Sequence, residues 1–321
     1  MWCLIGAQKD MDQKNIAIYI GLLLSSIMAL ILILYGMIYV PSKLYLLITS
    51  ADKLRSDPRF AGSYDNITKF TKVMVIIIMI VCFMLVLSQI TVTPVFTNDY
   101  ICFLSPAGAG SWYYWVNIVN IFPAAILFFG QKFIIILTIG VLCKIVTIEF
   151  NACNTEFRKM LDSDQTTEMV EMIRKRYFAI TKFAEQVDDF LNPYVVLEIG
   201  VSSTCVCLYI HAIAYGHSSL IILLIWCGLL ILATSEILLV LKSGVALNES
   251  AKLCLETTKY LDGRKMNRET ISLVTLFIEN MRSGDVGLTF MKLFILDKTT
   301  MVTVFGTMIS YIIVIMQFKP S

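Results

Sequence analysis

The sequence has little of what catalytic, metal-binding and nucleic-acid-binding proteins need. Two histidines in 321 residues cannot build a typical His-rich metal site, and the nine cysteines show neither zinc spacing nor a disulfide framework. A Gly-rich phosphate loop and a credibly spaced Ser, His and carboxylate arrangement are both missing. The net charge of +2 indicates no polybasic surface. We therefore expect no enzyme, no metal, no cofactor and no nucleic-acid partner.

Apolar residues dominate instead. Hydrophobic residues make up 57% of the chain and the mean hydropathy is +0.76, more than one soluble core can bury. This composition predicts an all-α, polytopic transmembrane helix bundle that contacts membrane lipids and carries cytoplasmic helical extensions. Its spans are predicted at residues 16–40, 73–93, 115–148, 194–214, 219–241 and 299–318.

The third run is longer than a bilayer requires. As one helix it would measure roughly 50 Å, against a hydrocarbon core of about 30 Å. Dividing it at Gly130, Gln131 and Lys132 would leave halves of about 15 residues, which are too short to span. We expect one helix whose lower end continues into the cytoplasm.

Lysine and arginine predict the orientation. They are frequent in the connections 41–72, 149–193 and 242–298, and absent from 94–114 and 215–218. The basic connections are therefore expected in the cytoplasm, and six spans place both termini outside the plasma membrane. Within the basic connections, apolar residues at helical spacing predict amphipathic helices: Val170, Ile173, Tyr177, Ile180, Ala184, Val187 and Leu191 in one, and Ile271, Val274, Ile278 and Met281 in the other.

The last run carries its small polar residues on one helix face. Thr300, Thr303, Thr307, Ser310 and Gln317 recur at steps of three or four, and Val314 fills the one gap. Two interpretations stay open. In the first, the hydroxyls bond to carbonyls of their own helix, and Gly306 lets a neighbouring helix approach. In the second, several copies of the helix surround a water-filled path.

Three ionisable residues lie inside predicted spans. Counted along their helices, Lys132, Glu198 and Glu236 fall about 25 Å below the outer surface. Isolated charges at that depth are costly, so we expect them to pair. A structural ion cluster is the favoured role, and a place in an ion pathway is the alternative.

Aromatic and hydrogen-bonding residues gather at the outer ends of spans three to five. Such residues suit a small-molecule pocket, but Trp and Tyr also collect at membrane interfaces without binding anything. Trp226 and Asn120 lie deeper than that belt, which favours a pocket. The candidate pocket residues are Trp115, Asn117, Asn120, Tyr209, His211 and Trp226.

The C-terminal residues carry a family resemblance. Ser310, Tyr311, five apolar residues, Gln317 and Phe318 resemble the signature of insect gustatory receptors, in which Thr-Tyr and five hydrophobic residues precede Gln-Phe. Phe294, Leu296 and Asp297 resemble the family's segment before its last helix. The loop and helix pattern back to about Tyr39 is also similar to the family.

The resemblance implies a taste receptor that is a ligand-gated cation channel. Four identical or related subunits would form it, with the last helix of each lining the pore. Gln317 and Phe318 would lie at the gate, Tyr311 would hold the helix in its bundle, and Thr307, Ser310 and Val314 would face the pore. Residues 1–260 would form the ligand-binding bundle, and residues 261–321 the cytoplasmic anchor helix and the pore helix. Ile312 follows Tyr311 where sugar receptors often carry Glu, which favours a bitter or other non-sugar tastant.

The chain departs from the family in one respect and leaves rivals open. The family has seven spans and a cytoplasmic N-terminus, so six spans imply that the first one is missing. One rival is a G-protein-coupled receptor, although neither Asp-Arg-Tyr nor Asn-Pro-Tyr occurs where such receptors carry them. The others are a transporter, for which no internal repeat is visible, and a non-conducting truncated subunit.

Overall fold

The structure is a computed structural model that describes most of the chain beyond residue 111. It covers residues 112–161, 167–215, 220–260, 266–284 and 286–317, and isolated positions at 43, 47, 49–50, 69, 71–73 and 76. Side chains at 112–131, 161, 215, 221–222, 283 and 315 lie outside this description. The first two predicted spans lie outside it as well, apart from Val73 and Ile76.

Helix α1 is the predicted third span, and it is one continuous helix. It runs from Trp112 to Leu161, or 50 residues, about 75 Å at the usual rise. The prediction of a single helix longer than a bilayer requires is therefore confirmed, and its continuation into the cytoplasm stays a prediction. Gly130 and Gln131 do not interrupt it, because a lone glycine costs a helix only about 1 kcal/mol.

Helix α2 joins a predicted amphipathic helix to the fourth predicted span. It runs from Thr167 to Tyr215 and continues through Pro193. A proline inside a helix costs about 3 kcal/mol, and the full burial of its neighbours Leu191 and Val195 offsets that cost. The predicted face is confirmed, since Val170, Ile173, Tyr177, Ile180, Ala184, Val187 and Leu191 are all buried.

Helix α3 packs against both α1 and α2 and completes a three-helix bundle. It runs from Leu220 to Thr257 and ends in a 3₁₀ turn, Thr258–Tyr260. All three helices contain segments long and apolar enough to cross a membrane: Lys132–Met160, Thr167–Ala214 and Leu223–Tyr260. Together with the family comparison below, this supports an all-α membrane helix bundle.

The end of the bundle predicted to be cytoplasmic has an aromatic core. Helix α4, Arg268–Ser283, contributes Phe277 to it. The ring centroid of Phe277 lies 5.5 Å from that of Tyr177 and 6.3 Å from that of Phe157, and Phe150 lies 5.6 Å from Tyr177. These distances fall in the range that aromatic pairs favour.

The predicted apolar face of α4 is partly wrong. Val274 and Met281 are buried as expected and Ile278 is half-buried against the core. Ile271 is instead 42% exposed, and the buried face runs through Thr270, Val274, Phe277 and Met281. The physical reason is the large ring of Phe277. Its burial in the aromatic core turns the helix so that Ile271 faces outward.

A short β-hairpin that was not predicted lies between α4 and the last helix. Strand β1, Thr289–Phe290, pairs antiparallel with β2, Phe294–Ile295. The turn places Met291 and Lys292 in the left-handed region, with φ of 54° and 59°. Turns of this kind normally carry Asn or Gly, and with Met and Lys at these positions the hairpin could not be predicted.

Candidate functional site

The last helix, α5, begins at a well-formed cap. It runs from Lys298 to Gln317, within one residue of the predicted bounds. The backbone N–H of Thr300 donates to Oδ1 of Asp297 at 2.8 Å. This hydrogen bond is the main reason that the pKa of Asp297 lies below its ordinary value. A charged cap at a helix N-terminus fixes where the helix starts.

One face of α5 packs on the bundle. Met308 is buried, and Met301, Val304 and Phe305 pack against the hydrophobic core. These four residues recur at steps of one and three, as expected for a single contact face. The helix is thus attached along one side to α2 and α3.

The opposite face of α5 is open among the residues that the structure describes. Thr303, Gly306, Thr307, Ser310, Tyr311 and Val314 line an open groove of about 510 Å³ along it. The hydroxyls of Thr303, Thr307 and Ser310 donate to carbonyls four residues earlier at 2.9 Å. Among the described residues, no atom lies within 4 Å of where a side chain at Gly306 would start. The hydroxyls are satisfied locally, as the first interpretation predicted, but none of the described helices approaches Gly306.

The C-terminal signature lies at the end of this open face. Tyr311 is 61% exposed and Gln317 is also exposed. Phe318 lies outside the described residues. Tyr311 has little packing against the described residues, and its predicted role in holding the helix in a bundle stays a prediction.

A polar network attaches the hairpin to α2. Buried Asp188 accepts hydrogen bonds from the backbone N–H of Thr289 at 2.6 Å and from its hydroxyl at 2.8 Å, and it pairs with the ammonium of Lys292. Asn192, one turn further along α2, donates to the carbonyl of Thr289 at 2.9 Å. Asp189 forms a second, exposed ion pair with Lys292 at 2.7 Å. The hairpin that leads into α5 is therefore held by charge-assisted hydrogen bonds.

The sequence analysis missed these hairpin residues. Asp188 and Asn192 lie on an amphipathic helix where polar residues ordinarily face solvent. Their partner Thr289 is 101 and 97 residues away, respectively. Neither periodicity nor a motif connects positions so far apart. Only the two consecutive acids at 188 and 189, next to Asn192 and Pro193, set the segment apart.

A tight backbone approach fixes the junction between hairpin and bundle. A side chain at Gly244 of α3 would place its Cβ only 2.7 Å from Cβ of Leu296, which is fully buried between the hairpin and α5. The amide of Asn248, one turn on, donates to the carbonyl of Val286 at 2.9 Å. The glycine thus allows α3 to contact the segment that leads into α5.

We expect Gly244→Ala to destabilise this junction by about 1–3 kcal/mol, because the new methyl group must displace Leu296. The measurement is the thermal unfolding midpoint of the purified protein in detergent. Gly228→Ala, in the same helix, is the matched control: nothing lies within 4 Å of its added Cβ, so the substitution should be neutral or stabilising. Equal midpoints for the two variants would contradict the close approach.

The structure brings Lys132, Glu198 and Glu236 together, one from each of α1, α2 and α3. The ammonium of Lys132 is hydrogen-bonded to Oε2 of Glu236 and lies 3.4 Å from Oε1 of Glu198. Ser202 joins the group with its hydroxyl 3.0 Å from the Lys132 nitrogen. We call these four residues the ion cluster. Ser202 was not predicted, although it lies one turn after Glu198.

The candidate pocket residues are only partly described. The rings of Tyr209 on α2 and Trp226 on α3 lie 5.6 Å apart and are tilted by 37°. His211 is half-buried on α2. Trp115, Asn117 and Asn120 belong to the first part of α1, where side chains lie outside the description. Tyr209 and Trp226 are therefore the predicted pocket residues that the structure brings into contact.

Comparison with known proteins gives one family and one fold. The model of a family described as 7tm Chemosensory receptor matches residues 14–321. The fold is similar to that of the insect olfactory receptor OR5 from Machilis hrabei, with a TM-score of 0.72 and 14% identity over 99% of this chain and 85% of that chain. For the same receptor in complex with eugenol, the identity and coverage are the same and the TM-score is 0.66. No curated protein matches.

Proposed function

Because the chain belongs to the seven-transmembrane chemosensory receptor family, we propose that it is a gustatory receptor and a subunit of a ligand-gated, non-selective cation channel. The taste assignment is based on the C-terminal signature from Ser310 to Phe318, and the plasma membrane is its expected location. Residues 1–260 would recognise the tastant, and residues 261–321 would anchor the subunit and line the pore.

The open face of α5 is the observation that carries this proposal. A helix that only crossed the membrane would gain little from placing Thr303, Thr307 and Ser310 on one line beside Gly306. Here these residues face away from the bundle and line a groove. Four copies of the helix, arranged around a common axis, would turn these grooves toward a shared aqueous path. Gln317 and Phe318 would then narrow its outer end.

The tastant would bind between the outer halves of the helices. The olfactory receptor with a similar fold has been solved in complex with eugenol, and we propose that this chain also takes a small organic molecule. The contact between Tyr209 and Trp226 supports an aromatic wall. We place His211, Trp115, Asn117 and Asn120 beside it.

Helix α2 provides a direct route from that pocket to the pore. Tyr209 and Asp188 lie on the same continuous helix, about 32 Å apart at 1.5 Å per residue. Asp188 holds the hairpin, and the hairpin leads into α5 within a few residues. A ligand-dependent movement of α2 would therefore reach the pore helix through the hairpin.

Cysteine substitution along α5 tests the proposal. We expect that a membrane-impermeant, positively charged thiol reagent will reduce cation currents of Thr303→Cys, Thr307→Cys and Ser310→Cys channels several-fold. The currents would be evoked by a panel of small organic compounds that includes eugenol. A reagent attached at these positions would add bulk and positive charge to the proposed pore, and both would hinder the passage of cations.

Three controls make the result decisive. Val302→Cys and Ile309→Cys are also exposed on α5 but lie off the groove, so their currents should be unaffected. The unsubstituted chain reports any effect on the native cysteines. An epitope after Ser321 should stain on intact cells. Equal inhibition at all five positions, or a hidden epitope, would contradict the proposal, and surface protein without current would favour the non-conducting subunit.

A further inference from the structure

The ion cluster contains one more acid than base. Lys132 is the one described cation that pairs with Glu198 or Glu236, and the three side chains are 11%, 1% and 3% exposed, respectively. If all three were ionised, the cluster would carry a net charge of −1 between three membrane helices. An uncompensated charge in such a place costs several kcal/mol, so a proton or another cation must balance it.

The described groups around the cluster do not supply that positive charge. The other described titratable residues that act on the cluster are Cys205 and Tyr209, both on α2. Neither a thiol nor a phenol can become positively charged. On α1 and α3, the described groups within the cluster are Lys132 and Glu236 themselves.

The hydrogen bonds of Ser202 indicate where a proton would lie. Its hydroxyl oxygen is 2.8 Å from Oε1 of Glu198 and 3.1 Å from Oε2 of Glu236. A hydroxyl has a single hydrogen to donate, so it cannot satisfy two carboxylates at once. If one carboxyl is protonated, it donates to Ser202 and Ser202 donates to the other. Both contacts are then satisfied.

The position of Lys132 distinguishes the two carboxyl groups. The ammonium is hydrogen-bonded directly to Glu236, whereas Glu198 is 3.4 Å away. The ammonium stabilises the ionised form of the closer carboxyl group more strongly than that of the more distant one. Glu236 is therefore the ionised partner of Lys132, and Glu198 is the carboxyl that remains to hold the proton.

We propose that the ion cluster is a buried proton-binding site in which Glu198 is protonated and donates to Ser202, Ser202 donates to ionised Glu236, and Glu236 pairs with Lys132. The cluster is then neutral and every member has a partner. Release of the proton from Glu198 to solvent leaves a net negative charge between α1, α2 and α3 and weakens their packing.

Two glutamine variants test this assignment, with the thermal unfolding midpoint in detergent as the measurement. Glu198→Gln replaces a neutral acid by a neutral amide that can still donate to Ser202, so its midpoint should equal that of the parent at neutral pH. Glu236→Gln removes the carboxylate that both Lys132 and Ser202 contact, and Glu198 must then give up its proton to pair with the ammonium across 3.4 Å. This variant should therefore lower the midpoint by several degrees.

Two further readouts would detect the proton itself. Infrared spectroscopy of the folded parent should show the carbonyl band of a protonated carboxylic acid that is lost in Glu198→Gln. The parent should lose stability as the pH rises through the range in which Glu198 releases its proton, and Glu198→Gln should not. Three results would each overturn the proposal. These are failure of Glu198→Gln to fold, equal destabilisation of the two variants, and an infrared band of the parent that persists unchanged in Glu198→Gln. An unchanged band would mean that a bound cation, not a proton, balances the charge.

Discussion

Replacing Glu149 by glutamine is expected to lower the free energy of unfolding by about 3–5 kcal/mol. Glu149 on α1 and Arg176 on α2 form an ion pair, and both side chains are buried. The pair lies beside the contact between Phe150 and Tyr177 in the aromatic core. Loss of the carboxylate leaves a buried guanidinium without its ionised partner. The thermal unfolding midpoint of the purified protein measures the effect.

Two comparisons separate this effect from a general loss of charge. Glu156 and Lys159 form an exposed ion pair on the same helix, and Glu156→Gln should change stability by less than about 1 kcal/mol. The double substitution Glu149→Met and Arg176→Met removes both charges, so it should be less destabilising than Glu149→Gln alone. If Glu149→Gln behaves like Glu156→Gln, the buried pair does not stabilise the bundle.

Replacing Asp188 by alanine is expected to abolish most of the ligand-evoked current while the receptor still reaches the cell surface. The substitution removes the acceptor of the Thr289 N–H and the buried partner of Lys292. Loss of such charge-assisted bonds costs about 2–3 kcal/mol locally. Met291 and Lys292 also have positive φ, at a cost of about 1–2 kcal/mol each. Without Asp188 the described polar contacts that hold the hairpin to α2 would be those of Asn192 and one exposed ion pair, so movements of α2 would reach the start of α5 less effectively. The ratio of current to surface protein is the measurement.

The neighbouring acid provides a matched control. Asp189 is 63% exposed and its described ion pair is with Lys292, which is itself half exposed. Asp189→Ala should therefore leave the current within about twofold of the parent, in line with the small contribution of exposed pairs. A large loss for both variants would indicate that overall negative charge at this end of α2 matters, and not the hairpin contact. No loss for either would remove the hairpin from the proposed gating route.

The helices and the family were predictable because their signals are local. Apolar runs, the spacing of residues such as Val170 to Leu191, and the short signature ending at Gln317 and Phe318 can each be recognised from neighbouring positions. The family assignment is confirmed by the match over residues 14–321, and α5 lies within one residue of its predicted bounds. Helices α1 and α3 begin near their predicted spans but continue beyond them, to Leu161 and Thr257, and α2 joins two predicted helices in one. The taste modality, the pocket residues and the pore role of α5 stay predictions.

The grouping of Lys132, Glu198 and Glu236 was predictable from the sequence only in part. Depth along a straight helix follows from residue number at 1.5 Å per residue, so their common level was predictable. Their meeting side by side depends on how each helix is rotated about its axis. Ser202 enters the cluster for the same reason, because it lies one turn from Glu198 on the face that packing turns inward.

The sequence by itself determined that this protein is a bundle of membrane helices and which family it belongs to, since hydropathy and helical period are properties of consecutive residues. Only the tertiary structure decided which face of α4 is buried, that a hairpin with an unusual turn precedes α5, and that Asp188 holds it. Those outcomes depend on contacts between positions about 100 residues apart, where burial of one large ring or one charged group outweighs the local preference.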